Sequence, residues 1–437
     1  MSVPITMDSL RHGARRAACV CGLLFGLLTI AACGALDELV DVNAPDRVVG
    51  ETLETPENAL TLMAGAVGDF ECALASYIVA TGLTGDELMI TDALRAWELY
   101  DLRVFETRGL GSAYAMATCS ARFETTVGVY RPLSTSRWQA DNLLRLLDGW
   151  SDEQVPNRRL LIAKASAYAG YSYLLLGESM CEASFDLGPP VGPAEMFRLA
   201  EERFTQAITV ATEVNSAEFL NMARVGRART RLNLNRKADA AADARLVPNT
   251  FVKNAGYSSA SSRRENDVHV QGLGNIISVD PQFRTVSYQG VADSRVPVTN
   301  TGRVVTGVNI PVWTQTKYAA RNSSIPIARA AEAQLIVAEA EVDAGNLQAA
   351  VAIINAFHTR VGLPAFSSTD RTAIMNQILY ERRTELFLES HRLGDMKRYR
   401  VPLVPPAGSP HHTGGNYGDA LCYPYPGIEL DNNPRAR

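Results

Sequence analysis

The sequence predicts a mainly α-helical protein in which paired helices form a scaffold around one long irregular segment. Three observations carry this. Apolar residues recur at three- and four-residue spacing through residues 57–83, 135–247 and 326–392. Small residues (Ala163, Ala165, Ala167, Ala169, Gly170) gather where a neighbouring helix would approach closely. Residues 248–324, rich in Ser, Asn, Gly, Val and Thr, show no helix longer than two turns. Such a stretch inside a helical chain is more often functional than idle.

The chain begins with Arg11, Arg15 and Arg16 ahead of an apolar run too short to span a membrane comfortably. Residues 1–32 therefore read as a secretory signal peptide. It ends in Ile30-Ala31-Ala32-Cys33-Gly34, the pattern of a bacterial lipobox, in which the Cys33 thiol would take a diacylglycerol. Acylation there would anchor the protein in the outer membrane through more than one chain, as stable anchoring requires. Residues 33–55, with Asp37, Glu38, Asp41 and Asp46, read as an acidic tether, and 56–437 as a single domain containing the 248–324 insert.

Within that domain the first helix is "ENALTLMAGAVGDFECALASYIVATGL". Gly85, Gly109, Gly111 and Pro132 then punctuate residues 84–135. "TSRWQADNLLRLLDGW" and the helix running from Pro156 to Glu178 make one pair. Residues 193–214, opened by Pro193 in the first turn, and 216–247 make the next. A last set covers 326–364 and 368–392. Helix pairs joined by Gly-Asn or Asn-Arg turns are tetratricopeptide-like, although the period is not constant.

Composition excludes several function classes. Of 437 residues 46% are hydrophobic, ample for a core. Residues 1–32 hold three arginines and one aspartate, so the overall charge of -5 leaves about -7 on the rest, a poor match for nucleic acid. Of seven cysteines, Cys19 and Cys21 leave with the signal peptide and Cys33 is the lipidation site. Cys72, Cys119, Cys181 and Cys422 remain. An even number in an exported protein suggests disulfides. Three pairings are possible, and Cys72–Cys119 with Cys181–Cys422 is preferred.

No HExxH, GxSxG or GxxxxGK[ST] occurs. "GLGSAY" and "GLGN" lack the third glycine of a dinucleotide fingerprint, and His411-His412 has no third metal ligand nearby. The sequence thus predicts no catalytic residue, no cofactor and no metal site. The densest polar stretch is "ERRTELFLESHRLGDMKRYR" (residues 381–400), ten of whose twenty residues are charged. Glu381, Glu385 and Glu389 fall at i, i+4, i+8 with Arg382, Arg383 and Arg392 among them, followed by Asp395 and Arg398. Mixed charges at this spacing on a helix with apolar Ile378, Leu379, Leu386 and Phe387 read as a structural clamp.

The same stretch carries a resemblance. "PIARAAEAQLIVAEAE", "AAVAIINAFHTRVGLP", "ILYERRTELFLESHRLGDMKRYR" and "CYPYPGIELDNNP" together resemble the C-terminal half of the SusD/RagB family of outer-membrane nutrient-binding lipoproteins. The matched positions include Arg329, Glu332, Glu339, Asn355, Arg360, Gly362, Glu381, Arg382, Glu385, Glu389, Arg392, Asp395 and Arg398. His358 departs, standing where the family often has an arginine. The resemblance implies a mostly α-helical, SusD-like unit of four tetratricopeptide-like helix pairs with a loop-built ligand face. It implies a non-enzymatic protein that captures oligosaccharides or peptides and sits on a SusC-like TonB-dependent transporter.

Sugar capture needs aromatic faces for the rings and polar groups for the hydroxyls. Trp97, Tyr100, Tyr288 and Trp313 lie in irregular regions and are the ligand-binding candidates, whereas Trp138 and Trp150 lie on a predicted scaffold helix and are expected in the core. Two other readings remain: a helical-repeat structural adaptor of an envelope complex, and a secreted hydrolase.

Overall fold

The computed structural model describes residues 53–436 apart from 92–94, 120–127, 274–275 and 306–308. The segment read as a signal peptide, Cys33 and nearly all of the segment read as a tether lie outside the described residues. Residues 56–437 form one compact unit.

In chain order its elements are α1 (Ala59–Thr84), β1 (Leu88–Ile90), α2 (Arg95–Asp101), α3 (Ala113–Met116), α4 (Tyr130–Gly149), α5 (Arg158–Ser179), α6 (Pro193–Glu213), α7 (Ala217–Asn233) and α8 (Lys237–Ala244). The insert follows with β2 (Val252–Ala255), α9 (Asp267–Leu273), β3 (Ile277–Val279), β4 (Ser287–Tyr288), β5 (Val291–Ala292), β6 (Val298–Val305) and β7 (Ile310–Gln315). Then come β8 (Ile325–Arg329), α10 (Ala330–Asp343), α11 (Leu347–Val361), α12 (Arg371–Glu385), α13 (Arg392–Tyr399) and α14 (Gly427–Asn432).

The helices stack largely in sequence order: α1 on α4, α4 on α5, α5 on α6, α6 on α7, α7 on α8, and α8 on α10, which also carries α11 and α12. α5 is buried from Ala165 to Ser179, as a central helix must be, and the one charge in that stretch, Glu178, is paired with Arg229. Close approach depends on glycine here. Gly170 of α5 and Gly226 of α7 both press on the ring of Phe204 from α6, and a Cβ at either position would overlap that ring. α1 passes the length and composition test for a membrane span, yet it is buried continuously from Phe70 to Thr84 and is the core helix of this unit.

The insert is less irregular than its composition suggests. Its strands make two-stranded antiparallel ribbons, two of which tie it to the scaffold. β3 pairs with β1 (Leu88 opposite Val279), and β2 pairs with β8 (Val252 opposite Arg329). The other two, β4–β5 and β6–β7, are local hairpins. Cys72 is bonded to Cys119 and Cys181 to Cys422, the second bridge closing a span of 241 residues.

Two expectations about helix extent are corrected. The helix predicted over 368–392 stops at Glu385, and α13 starts at Arg392. Between them Leu388 (φ 53°) and Ser390 (φ 70°) are left-handed, a conformation a helix cannot hold. Tertiary partners take the freed backbone groups. The Leu388 amide donates to Glu87 Oε1, and the Phe387 and Leu388 carbonyls accept from Lys317 and Tyr318. Glu389 therefore does not share a helical face with Glu381 and Glu385. Conversely, α4 begins at Tyr130, ahead of Pro132, because a proline in the first turn forgoes an N–H that has no helical partner there.

Candidate functional site

α4 has two unlike faces. Leu133, Ala140, Leu143 and Leu147 are buried against the core, and the opposite flank presents Tyr130, Arg131, Ser134, Thr135 and Trp138. α14 lies across from that flank and contributes Ile428, Glu429 and Asn432. Ala115 of α3 and Leu187 complete the walls of a cavity of about 560 Å³. Trp138 is 47% exposed in this groove and Leu187 60%. Exposed apolar groups of this size beside convergent polar groups mark a binding surface more often than a packing defect.

The walls are fixed. The Tyr130 hydroxyl lies 2.9 Å from Glu429 Oε1 and 3.2 Å from the Ser184 carbonyl. Burial first, and then the Glu429 charge, push its pKa far up, so it stays a donor. Asn433 donates to the Gly188 carbonyl at 2.7 Å, and the Tyr425 hydroxyl meets Ser184 Oγ at 2.7 Å. The 184–191 loop is further held by Arg137, whose Nη1 donates to both Asp186 carboxylate oxygens at 2.9 Å. Asp186 (φ 51°) and Leu187 (φ 58°) are both left-handed. For a leucine this costs about 1–2 kcal/mol, strain that persists only where the surroundings impose it.

A second cavity of about 220 Å³ shares Arg131 and Thr135 with the first and is otherwise lined by Asp69, Thr118, Cys119, Pro132 and Arg263. The Cys72–Cys119 disulfide fixes its wall, and Arg263 is paired with Asp69.

The sequence-derived ligand candidates sit elsewhere. Trp97 and Tyr100 are 3% and 1% exposed and are not available to a ligand. α2 packs against α1, which turns Trp97 into the main core, while Tyr100 stands edge-on to Phe105 and Tyr423. Tyr288 is half-buried in the β4–β5 hairpin, edge-on to His358 at 4.6 Å. Trp313 is half-buried on β7 with the Arg284 guanidinium 5.9 Å from its ring. Neither lines the groove. Trp138 is corrected in the opposite sense, being on the scaffold helix but not in the core. The signal was present in the sequence: buried positions on α4 repeat at 133, 140 and 147, a phase that leaves 138 on the other side.

The charged stretch is a network of ion pairs. Arg329 donates from Nε to Glu389 Oε2 and from Nη1 to Glu385 Oε1, each at 2.7 Å. Arg382 grips both oxygens of Asp395 at 2.9 and 3.0 Å, and Arg398 reaches the same carboxylate. Glu381 accepts from Arg295 at 2.5 Å and faces His358 Nε2 at 2.8 Å. Arg392 donates to the Gly85 carbonyl at 3.1 Å. Burial would raise the Glu389 pKa, but Lys317 and Arg329 outweigh it and hold the group down at about 2. Most partners come from other elements, not from one helix face, and they leave no open carboxylate for chemistry. Among the described residues no cluster of three or more His, Cys, Asp or Glu could hold a metal.

No curated protein matches the sequence. Solved structures do match the fold. A SusD superfamily protein from Bacteroides vulgatus aligns at TM-score 0.67 with 13% identity, covering 87% of this chain and 98% of its own. A SusD-like carbohydrate binding protein from the same organism aligns at TM-score 0.67 with 14% identity, covering 87% and 97%. Surface glycan-binding protein A from Bacteroides uniformis aligns at TM-score 0.62 with 15% identity, covering 88% and 99%. At such identities the likeness is one of fold, a mainly helical SusD-like architecture. The SusD family profile itself matches residues 192–427, more than half of the sequence, and the chain belongs to that family.

Proposed function

We propose that the protein is a cell-surface nutrient-binding lipoprotein that captures oligosaccharides in the α4–α14 groove and passes them to a SusC-like TonB-dependent outer-membrane channel. The observation that carries the reading is the half-exposed Trp138 indole lining a groove that also holds Arg131, Thr135, Glu429 and Asn432. An aromatic face takes the C–H side of a sugar ring, and the polar groups answer its hydroxyls. Family membership and fold relatives named for carbohydrate or glycan binding support this ligand class. The same proposal is one of capture without turnover, which family membership supports. In the same proposal Cys33 carries the lipid anchor and residues 33–55 lift the domain off the membrane.

The test is calorimetric titration of the purified mature protein against oligosaccharide and peptide panels, with chromatography of the recovered ligand. Binding of an oligosaccharide that is recovered intact supports the reading. Cleavage of the ligand, or glycan affinity that Trp138→Ala leaves untouched, sinks it.

A further inference from the structure

Arg131 stands on the ridge between the two cavities and lines both. It is an exposed guanidinium whose hydrogen bond is a long one, 3.4 Å from Nη1 to the Met116 carbonyl, and among the described residues it has no carboxylate partner. The other charged groups of the two cavities have hydrogen-bond partners, a cation for Asp69 and neutral donors for Glu429. Arg263 is paired with Asp69. Glu429 Oε1 receives the Tyr130 hydroxyl, and its Oε2 lies 3.4 Å from the Asn433 amide. Among the described residues Arg131 is therefore the cation of the two cavities that has no carboxylate partner.

Arg131 and Trp138 lie seven residues apart on one flank of α4, a rise of roughly 10 Å along the helix axis. That separation exceeds one pyranose ring. A ring stacked on Trp138 would place a neighbouring residue of the same oligosaccharide over Arg131. A planar guanidinium matches a carboxylate in forked geometry and gains from the charge, which no hydroxyl offers.

Resting on the groove reading above, we infer that the ligand is an acidic oligosaccharide of at least two residues, with a uronate carboxylate on Arg131 and an adjoining ring on Trp138. The carboxylate is held by charge at a partly solvated site, so the preference weakens as salt rises.

The experiment compares uronate oligosaccharides with their methyl esters, which keep the shape and lose the charge. Neutral glucans and galactans and an acidic hexapeptide complete the panel. Each is titrated into the wild-type mature protein, Arg131→Gln and Trp138→Ala, with melting temperatures checked. Arg131 is exposed, so its variant keeps the fold. The expected result is roughly two- to fivefold tighter binding of an acid than of its ester at low salt, the scale of one exposed ion pair. Arg131→Gln removes that difference, and Trp138→Ala weakens both. Equal affinity for acid and ester, or preference for the neutral panel, overturns this inference while sparing the groove if Trp138→Ala still loses binding. Glycan binding unaffected by either substitution overturns the groove reading as well. Binding of the acidic peptide in place of the uronates, or of no member of the panel, also overturns the inference.

Discussion

Arg295 and Glu381, 86 residues apart, meet at 2.5 Å with side chains 6% and 0% exposed. The pair joins the 248–324 insert to the last long helix of the scaffold. Arg295 also holds Asp293 at 2.6 Å and approaches Glu385 at 3.6 Å. Removing the arginine strands Asp293 and Glu381, whereas Glu385 keeps Arg329 and Arg360. Arg295→Ala is therefore expected to cost roughly 3–5 kcal/mol of stability. Arg295→Met combined with Glu381→Gln should cost less than the sum of the single changes, because the second substitution removes the charge that the first one strands. Denaturant unfolding of the four proteins gives the coupling energy directly, and additive costs would show that the pair does not act as a unit.

This pair also shows what the sequence could and could not tell. Mixed charge within residues 381–400 was legible as a clamp because guanidinium and carboxylate groups alternate among apolar positions. Their partners were not legible, since Arg295, Lys317 and Arg329 come from the insert and β8. Nor was the break after Glu385, where no Gly or Pro stands. It is made by tertiary hydrogen bonds to Glu87, Lys317 and Tyr318, which local pattern does not contain.

Two kinds of buried carboxylate should give stability opposite slopes with pH. Glu389 is depressed from an ordinary value of 4.5 to about 2 by Lys317 and Arg329, against the effect of burial. Its contribution is present above pH 4.5 and is lost as pH falls toward 2, on the order of 3 kcal/mol in all. Asp267 is raised from 3.8 to about 7 by burial, with Ser76 and Gln271 as its hydrogen-bond donors among the described residues. Its folded form binds the proton more tightly than the unfolded chain, so that contribution is full below pH 3.8 and disappears as pH rises through about 7. Melting temperatures from pH 2 to 8 should therefore rise and then decline. Burial raises Asp86, Glu87 and Asp280 in the same direction, so Asp267→Asn should remove its own share of the decline and leave the acid limb in place. An unchanged upper limb would mean that Asp267 is not among the groups responsible.

The tryptophans should exchange the roles their surroundings in the sequence suggested. Trp97→Ala empties a core position and is expected to cost roughly 3–5 kcal/mol, with affinity unchanged in whatever protein stays folded. Trp138→Ala should leave the melting temperature nearly unchanged and weaken oligosaccharide binding by roughly 1–3 kcal/mol. Irregular sequence was a poor guide to exposure because α2 is short but lies directly on α1, a helix buried continuously from Phe70 to Thr84. Regular sequence was a poor guide to burial because α4 keeps one flank for the groove. Differential scanning fluorimetry and titration on the same two variants separate stability from binding. A Trp97 variant that melts normally and no longer binds would return the ligand site to α2.

Where helices touch through glycine, better helix propensity should lose to packing. Alanine normally favours a helix interior over glycine by about 1 kcal/mol. At Gly226, however, an added Cβ would overlap the Phe204 ring, and so would one at Gly170, which would lie 2.7 Å from it. The ring is fully buried and has nowhere to retreat. Gly226→Ala is thus expected to destabilise by roughly 1–3 kcal/mol, the usual cost of overpacking. Phe204→Leu alone should also destabilise, by leaving a cavity. Together the two should cost less than their sum, since the smaller side chain vacates the space that the new methyl needs. The measurement is chemical unfolding of the wild type, both single variants and the double variant. An additive double variant, or a Gly226→Ala protein more stable than the wild type, would show that α6 and α7 can move apart and that these glycines do not set the spacing of the stack.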